Sequence, residues 1–241
     1  MIIEYDGSKF VGWQFQKNGT TIQGEIEKIL KKIFKKNIKI TGSGRSDTGV
    51  HAIAQSANFK IDKVIDVEKF KNRLNHFLKS KKISIISIKK RKNNFNSRYS
   101  AYEREYRYVI INRKSHLALD SLKAWHVKKK LDIKNMKRGA KILVGKHDFS
   151  TFRASSCGAK SPVRTLKKLK VIKKNNKKIY LHFVSESFLQ QQVRSMVGCI
   201  KYLGEGKWNL KKFKRVLKSK KRYMCAPPAP AHGLYLVKVK Y

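Results

Sequence analysis

The segment Gly42-Ser43-Gly44-Arg45-Ser46-Asp47-Thr48-Gly49-Val50-His51 sets a guanidinium, a carboxylate and an imidazole among three glycines. Gly44 and Gly49 have the spacing of a phosphate-cradling loop, but Val50-His51 follows where that motif requires Lys and then Ser or Thr. Nor do Gly42 and Gly44 continue to a third glycine at the dinucleotide-fold spacing. What remains is a loop stripped of side-chain bulk around Arg45 and Asp47, so that a large ligand can approach its backbone. A single ionised carboxylate in such a place can act as a nucleophile or as a base. The same spacing equally suits a tight loop in which Asp47 caps a turn or a neighbouring helix. His51 is a second candidate acid or base, although a lone histidine usually needs a partner to act. Cys157, Cys199 and Cys225 are odd in number and far apart, with neither disulfide-framework nor metal spacing, so plain thiols and no metal site are expected.

The chain around these residues has 241 residues, 41% of them hydrophobic, enough for one large core or two small ones without staples. No run approaches the roughly 18 apolar residues that span a bilayer, and Met1-Ile2-Ile3-Glu4 opens into a strand-like pattern, so a cytoplasmic protein without a membrane partner is expected. The formal charge of +43 points to a polyanion, because each phosphate neutralised by Lys or Arg releases condensed counterions. Lysine outnumbers arginine 45 to 13, alongside much Ile and Asn, which dilutes that signal as compositional drift. Arginines retained in so lysine-biased a chain, among them Arg45, Arg98, Arg107 and Arg194, are candidates for work that needs a planar fork.

Periodicity supplies the elements that would position the loop. A strand at Ile2 to Tyr5 ends in Asp6-Gly7. Apolar residues at Ile26, Ile29, Leu30 and Ile33 predict a helix over Gln23 to Phe34 with Thr21 as N-cap. A short strand is expected at Ile38 to Ile40, an extended segment at Gln55 to Ile61, a helix through Val67, Phe70, Leu74, Phe77 and Leu78, and a buried strand at Ile83 to Ile88. Tyr102 to Ile111 alternates as a long strand, with Tyr106, Tyr108 and Ile110 on one face. Later come a helix at Ile133 to Val144, strands near Leu166 to Ile172 and Ile179 to Ser185, helices at Leu189 to Leu203 and after Trp208, and a closing strand at Gly233 to Val239. The Lys/Asn tracts Lys89 to Asn94, Lys173 to Lys178 and Lys218 to Arg222 read as solvated loops or helix ends. The order predicts an α+β protein of two ferredoxin-like α/β halves with mostly antiparallel sheets and an active-site cleft between them, residues 1–100 carrying the Asp47 loop and 101–241 completing the cleft.

Gly44 to Ala52 is similar to the GRTDAGVHA signature of the TruA family of tRNA pseudouridine synthases. Further segments agree in the family's order: Glu4-Tyr5-Asp6-Gly7-Ser8, Arg98-Tyr99-Ser100-Ala101, Tyr106-Arg107-Tyr108, Asp148 to Arg153, Val193 to Gly198, and Ala229 to Leu236. The resemblance spans nearly the whole chain. It implies isomerisation of uridine at nucleotides 38 to 40 of the tRNA anticodon stem-loop, with Asp47 as the single catalytic aspartate and Arg194 as its ionic partner. An arginine fork can hold both carboxylate oxygens, and a buried carboxylate stays charged only with such help. The target nucleotide must be extruded and held against a plane. By resemblance Tyr106 stacks on the flipped uracil, Arg45 contacts the RNA backbone, and His51 belongs to the loop architecture. No cofactor is implied, since breaking C1′–N1 and rejoining through C5 is an isomerisation. The family also implies a homodimer. The chain departs from the family at Gln192, where a methionine is usual. The competing expectation, from another class, is a basic RNA-binding or chaperone-like protein that keeps the fold without catalysis. A further expectation is that the charge makes the free protein self-repelling and marginally stable without RNA or salt.

Overall fold

A computed structural model describes residues 1–175 and 177–241. The chain forms two compact units, residues 1–102 together with 235–241, and residues 103–234. In the first unit run β1 (Ile2–Tyr5), α1 (Ile22–Phe34), β2 (Thr41–Gly42), β3 (His51–Asn58), α2 (Val67–Leu78) and β4 (Ile83–Ser87). In the second run β5 (Glu103–Asn112), β6 (Trp125–Val127), α3 (Ile133–Leu143), β7 (Gly145–Asp148), β8 (Val163–Lys173), β9 (Lys178–Ser185), α4 (Gln192–Gly204) and α5 (Leu210–Ser219). β10 (Leu234–Lys240) closes the chain. The protein is thus a mixed α/β protein whose strands pair mostly antiparallel, while among the described residues β10 pairs with β3, and β6 with β5, in parallel.

In the first unit β1 lies between β4 and β3, antiparallel to both, and β10 flanks β3 in parallel, Tyr235 opposite His51 and Leu236 opposite Ala52. The closing strand, expected with the C-terminal half, therefore contributes residues 235–241 to the first unit. α1 buries Ile22, Ile26 and Leu30, and α2 buries Phe70, Leu74 and Leu78. These sets repeat every four residues, the spacing of one helix face, and each buried aliphatic is worth about 1.5–3 kcal/mol. Thr21 caps α1 as expected, its hydroxyl accepting the Gly24 N–H at 3.1 Å. Ile38 to Ile40 is not a strand. Ile40 donates its N–H to Glu27 (2.9 Å) and its carbonyl accepts from Gln23, so side chains of α1 take the groups a partner strand would have used.

In the second unit β9 lies between β5 and β8, and β8 between β9 and β7, all antiparallel. β5 carries Tyr106, Tyr108 and Ile110 on one face, as its alternation predicts, while Val109 and Ile111 are also buried. α3 packs on β8, α4 and α5. An added Cβ at Gly139 of α3 would stand 2.3 Å from Leu203 of α4, so the two helices approach closely through that glycine. α4 begins at Gln192, not Leu189. Gln191 adopts the left-handed conformation (φ 60°), and the buried Gln192 side chain accepts the Leu189 N–H at 2.8 Å. The residue that departs from the family's methionine thus serves as a hydrogen-bonded plug at the head of α4. β8 and β9 take the ends of the Lys173 to Lys178 tract into strands. Of that tract, Asn176 lies outside the described residues.

Candidate active site

On the first unit the Asp47 loop connects β2 to β3 and is gripped through backbone. Trp13 donates its N–H to the Ser46 carbonyl at 3.3 Å, Gly49 donates to the Phe10 carbonyl at 3.2 Å, and Val50 donates to the Asp47 carbonyl at 3.2 Å. Two glycines from the preceding segment permit this. A Cβ at Gly7 would stand 1.9 Å from the Val50 carbonyl oxygen, and one at Gly12, at φ 106°, would stand 2.4 Å from that of Ser46. Side chains add a second layer. Tyr5 Oη and Ser46 Oγ are 3.0 Å apart. Ser43 Oγ donates to Gln55 Oε1 at 2.6 Å, and Gln55 Nε2 donates to the Gly44 carbonyl at 2.9 Å. Gly49, at φ 79°, turns the chain into β3. Asp47 is half-buried and Arg45 is exposed at the rim of the loop.

His51 is the first residue of β3 and its side chain is buried. Its Nδ1 accepts the Gly7 N–H at 3.0 Å, and its ring stacks on Tyr235 at 4.8 Å. Nδ1 also lies 3.2 Å from Asp6 Oδ1. A nitrogen that accepts an amide N–H carries no proton of its own, so we assign the ring proton to Nε2, and the approach to Asp6 is not an ion pair in that tautomer. Asp6 meanwhile accepts from the Ser8 amide and hydroxyl, capping the short 3₁₀ turn Gly7–Lys9. This makes His51 a strut between the two segments that hold the loop.

On the second unit Tyr106 and Arg194 occupy β5 and the first turn of α4. Tyr106 is 9% exposed, and Phe188 meets its ring edge-on at 5.3 Å. Arg194 Nε donates to the Ala229 carbonyl at 2.7 Å, and the Arg194 carbonyl accepts the Ala229 N–H at 3.0 Å. This reciprocal pair fixes the plane of the guanidinium. The segment that supplies Ala229 is itself held at both ends. A Cβ at Gly198 would stand 2.1 Å from the Pro227 carbonyl oxygen, and the buried Tyr108 hydroxyl donates to the Pro230 carbonyl at 2.7 Å. Burial pushes the Tyr108 phenol well above its ordinary value, against the pull of the Arg194 charge. His232 is held below its ordinary value, by burial first and by the positive Arg194 in addition, and it is therefore neutral at pH 7 and adds no second cation there.

Of the residues singled out in the sequence, Arg45, Asp47 and His51 stand on one unit and Tyr106 and Arg194 on the other. Arg98 lies over the Tyr99 ring (5.4 Å) and Arg107 over the Tyr180 ring (5.3 Å), each within reach of a cation–π contact. Sequence reasoning did not single out Ala229, Gly198 or Phe188 as supports. Gly198 and Ala229 lie inside segments that resemble the family's, but nothing in the type of any of the three announces a role.

These observations describe a half-buried carboxylate on a glycine-gripped loop of a mixed α/β scaffold. The family model for tRNA pseudouridine synthases matches residues 1–100 and 140–241. The chain belongs to the tRNA pseudouridine synthase family. Relatives named tRNA pseudouridine synthase A include one from Pelagibacter ubique (strain HTCC1062), 54% identical over 242 residues, covering 100% of this chain and 98% of the relative. Another from Rhodopseudomonas palustris (strain BisA53) is 43% identical and one from Afipia carboxidovorans 40%, each over 241 residues with the same coverage. As a member of this family the chain is an isomerase that converts uridine to pseudouridine in tRNA. No helix among the described residues is long and apolar enough to cross a membrane.

Proposed function

We propose that this enzyme acts at nucleotides 38 to 40 of the anticodon stem-loop, in the cytoplasm, as a homodimer, with Asp47 as its single catalytic aspartate. The carboxylate attacks the ribose or the base, or removes a sugar proton; C1′–N1 breaks, the uracil turns, C5 bonds to C1′ and then loses its proton, and N1 takes one up, so the sum is an isomerisation. Arg194 is the guanidinium partner that keeps Asp47 ionised and oriented. Tyr106 stacks on the extruded uracil, and Arg45 holds the RNA backbone beside it. The observation that carries this reading is the grip on the Asp47 loop, in which Gly7 and Gly12 let backbone touch backbone at Val50 and Ser46. A carboxylate that serves as the sole catalyst must be held still, and a mere turn cap needs no such double support.

The experiment uses an unmodified tRNA transcript with pseudouridine mapped chemically. The wild-type protein is expected to convert nucleotides 38 to 40. Asp47→Asn is expected to abolish conversion while tRNA affinity stays within a few-fold, because backbone contacts dominate affinity. Residual turnover by the Asn variant, or wild-type conversion confined to other nucleotides, contradicts the proposal. Tight binding without conversion by the wild-type protein would instead favour an RNA binder without catalysis.

A further inference from the structure

Cys199 and Cys225 are 26 residues apart in the chain, yet their sulfurs lie 3.4 Å from one another, too close for any atom to stand between. Cys199 is fully buried on α4, whereas Cys225 is half-buried and follows the 3₁₀ turn Arg222–Met224 in an extended conformation (φ −75°, ψ 145°). A disulfide measures about 2.05 Å, so closure asks for an approach of roughly 1.4 Å, and Cys225 lies outside any helix or strand. The two thiols also differ in character. The hydrogen bond from Cys199 and the nearby Arg222 guanidinium pull the Cys225 thiol below its ordinary value despite burial, while that same hydrogen bond and burial push Cys199 up. Cys225 is thus the more reactive sulfur, on the less buried of the two residues, and Cys199 is its neighbour. All three cysteines are free thiols, as expected, but two of them are neighbours in space.

We propose that Cys199 and Cys225 form a reversible dithiol–disulfide site whose oxidant is a low-molecular-weight disulfide. The Cys225 thiolate attacks one sulfur of the oxidant, breaking its S–S bond and releasing one thiolate. Cys199 then displaces the second small thiolate from the mixed disulfide, its proton passing to a departing thiolate. In sum, two protein thiols and one small disulfide become one protein disulfide and two small thiols, and two electrons pass to the oxidant. The link would tie α4 to the start of the Cys225 to Pro230 segment, which carries the Ala229 carbonyl that orients Arg194. Closure therefore lowers turnover by shifting the mount of that guanidinium. The claim about turnover rests on the role proposed for Arg194, and the claim about the bond does not.

The full-length protein is incubated with oxidised glutathione, quenched with an alkylating agent and mapped by mass spectrometry. The expected product is a cross-link between Cys199 and Cys225, two hydrogens lighter, reversed by dithiothreitol and unaffected by Cys157→Ser. Cys225→Ser is expected to abolish it, and Cys199→Ala to trap glutathione on Cys225, which a simple packing contact would not do. Recovery of both cysteines as alkylated thiols while Cys157 reacts, or stable glutathione on Cys225 of the wild-type protein, overturns the proposal. Oxidised wild-type protein is further expected to lose turnover several-fold and regain it on reduction, with Cys225→Ser indifferent to the oxidant. Closure with unchanged turnover refutes the coupling to Arg194, and failure of the reduced protein to modify tRNA counts against the proposed function alone.

Discussion

The contact between Gly198 and Pro227 offers a test of how Arg194 is held. An alanine Cβ at position 198 would lie 2.1 Å from the Pro227 carbonyl oxygen, and real Cβ atoms essentially never come within 3.0 Å. Gly198→Ala must therefore move the Pro227 backbone or α4 by at least 0.9 Å, the difference between those distances. Neither side is a flexible side-chain tip. Ala229, two residues beyond Pro227, is tied to Arg194 by bonds of 2.7 and 3.0 Å, so the displacement reaches the guanidinium with little slack. Overpacking of this kind costs about 1–3 kcal/mol, which in a chain of this size lowers the melting temperature by roughly 2–10 °C. Misplacing a catalytic partner by about 1 Å costs on the order of 100-fold in rate. Single-turnover pseudouridine formation, tRNA affinity and thermal melting are measured side by side. The expected result is a large loss of rate with affinity within a few-fold. Gly158→Ala is the control, since nothing lies within 4 Å of the added carbon. A Gly198→Ala protein that turns over and melts like the wild type would refute the argument that this approach positions Arg194.

Three further outcomes follow from the same contacts. Tyr108→Phe removes the hydroxyl that donates to Pro230 and is expected to cost about 0.5–1.5 kcal/mol, or up to roughly 3 if the carbonyl is left unsatisfied, read by denaturant unfolding. Asp148 is pushed up by burial but drawn below the ordinary carboxylate value by the Ser150 hydroxyl and amide and by Lys220. A carboxylate depressed in the folded state stabilises above its unfolded value and loses that contribution as pH falls through the folded one. Asp148→Asn should thus be less stable than wild type at pH 7, and the gap should narrow at strongly acid pH. Finally, a formal charge of +43 predicts that the melting temperature rises with salt and with tRNA. Ligand at about 100 times its dissociation constant stabilises by about 2.7 kcal/mol, and no rise with either addition would end the idea of a self-repelling fold.

Much of the scaffold could be read from the order of residues because it depends on local periodicity. Ile26 and Leu30 with the Thr21 cap announce α1, and the alternation around Tyr106 and Tyr108 announces β5. The failures have specific causes. Ile38 to Ile40 has strand composition, but Glu27 and Gln23 reach across from α1 to take its backbone groups. β6, three residues long, is too short for any period to register, and β7 starts at Gly145 with φ 116°, which reads as a loop. The candidate site divides in the same way. Asp47, Arg45, Tyr106 and Arg194 stand out as candidates because their types can do chemistry and their segments resemble a family. The Ala229 carbonyl, the gap left by Gly198 and the clasp of Gly7 on Val50 were invisible, since they are backbone groups brought together over long stretches of chain.

The arginines show why composition misled less than it threatened to. In a chain with 45 lysines, net charge cannot distinguish a functional cation from drift. Yet in the second unit Arg104, Arg113, Arg164, Arg194 and Arg222 all donate to backbone carbonyls of loops or segment ends. Arg91, Arg98 and Arg107 instead lie over or beside aromatic rings. Lysines lie over rings as well, Lys32 over Phe77 at 4.3 Å and Lys207 over Tyr202 at 4.9 Å, but a point charge on a flexible stem cannot grip two carbonyls as a planar fork does. Lysines thus form one group, with charge and ring contacts, and the arginines aimed at backbone carbonyls form a second, in which a fork must be directed. Arg194 fits the second group because its Nε is already committed to Ala229, and that commitment makes the guanidinium a directed group, something no count of positive charges could have revealed.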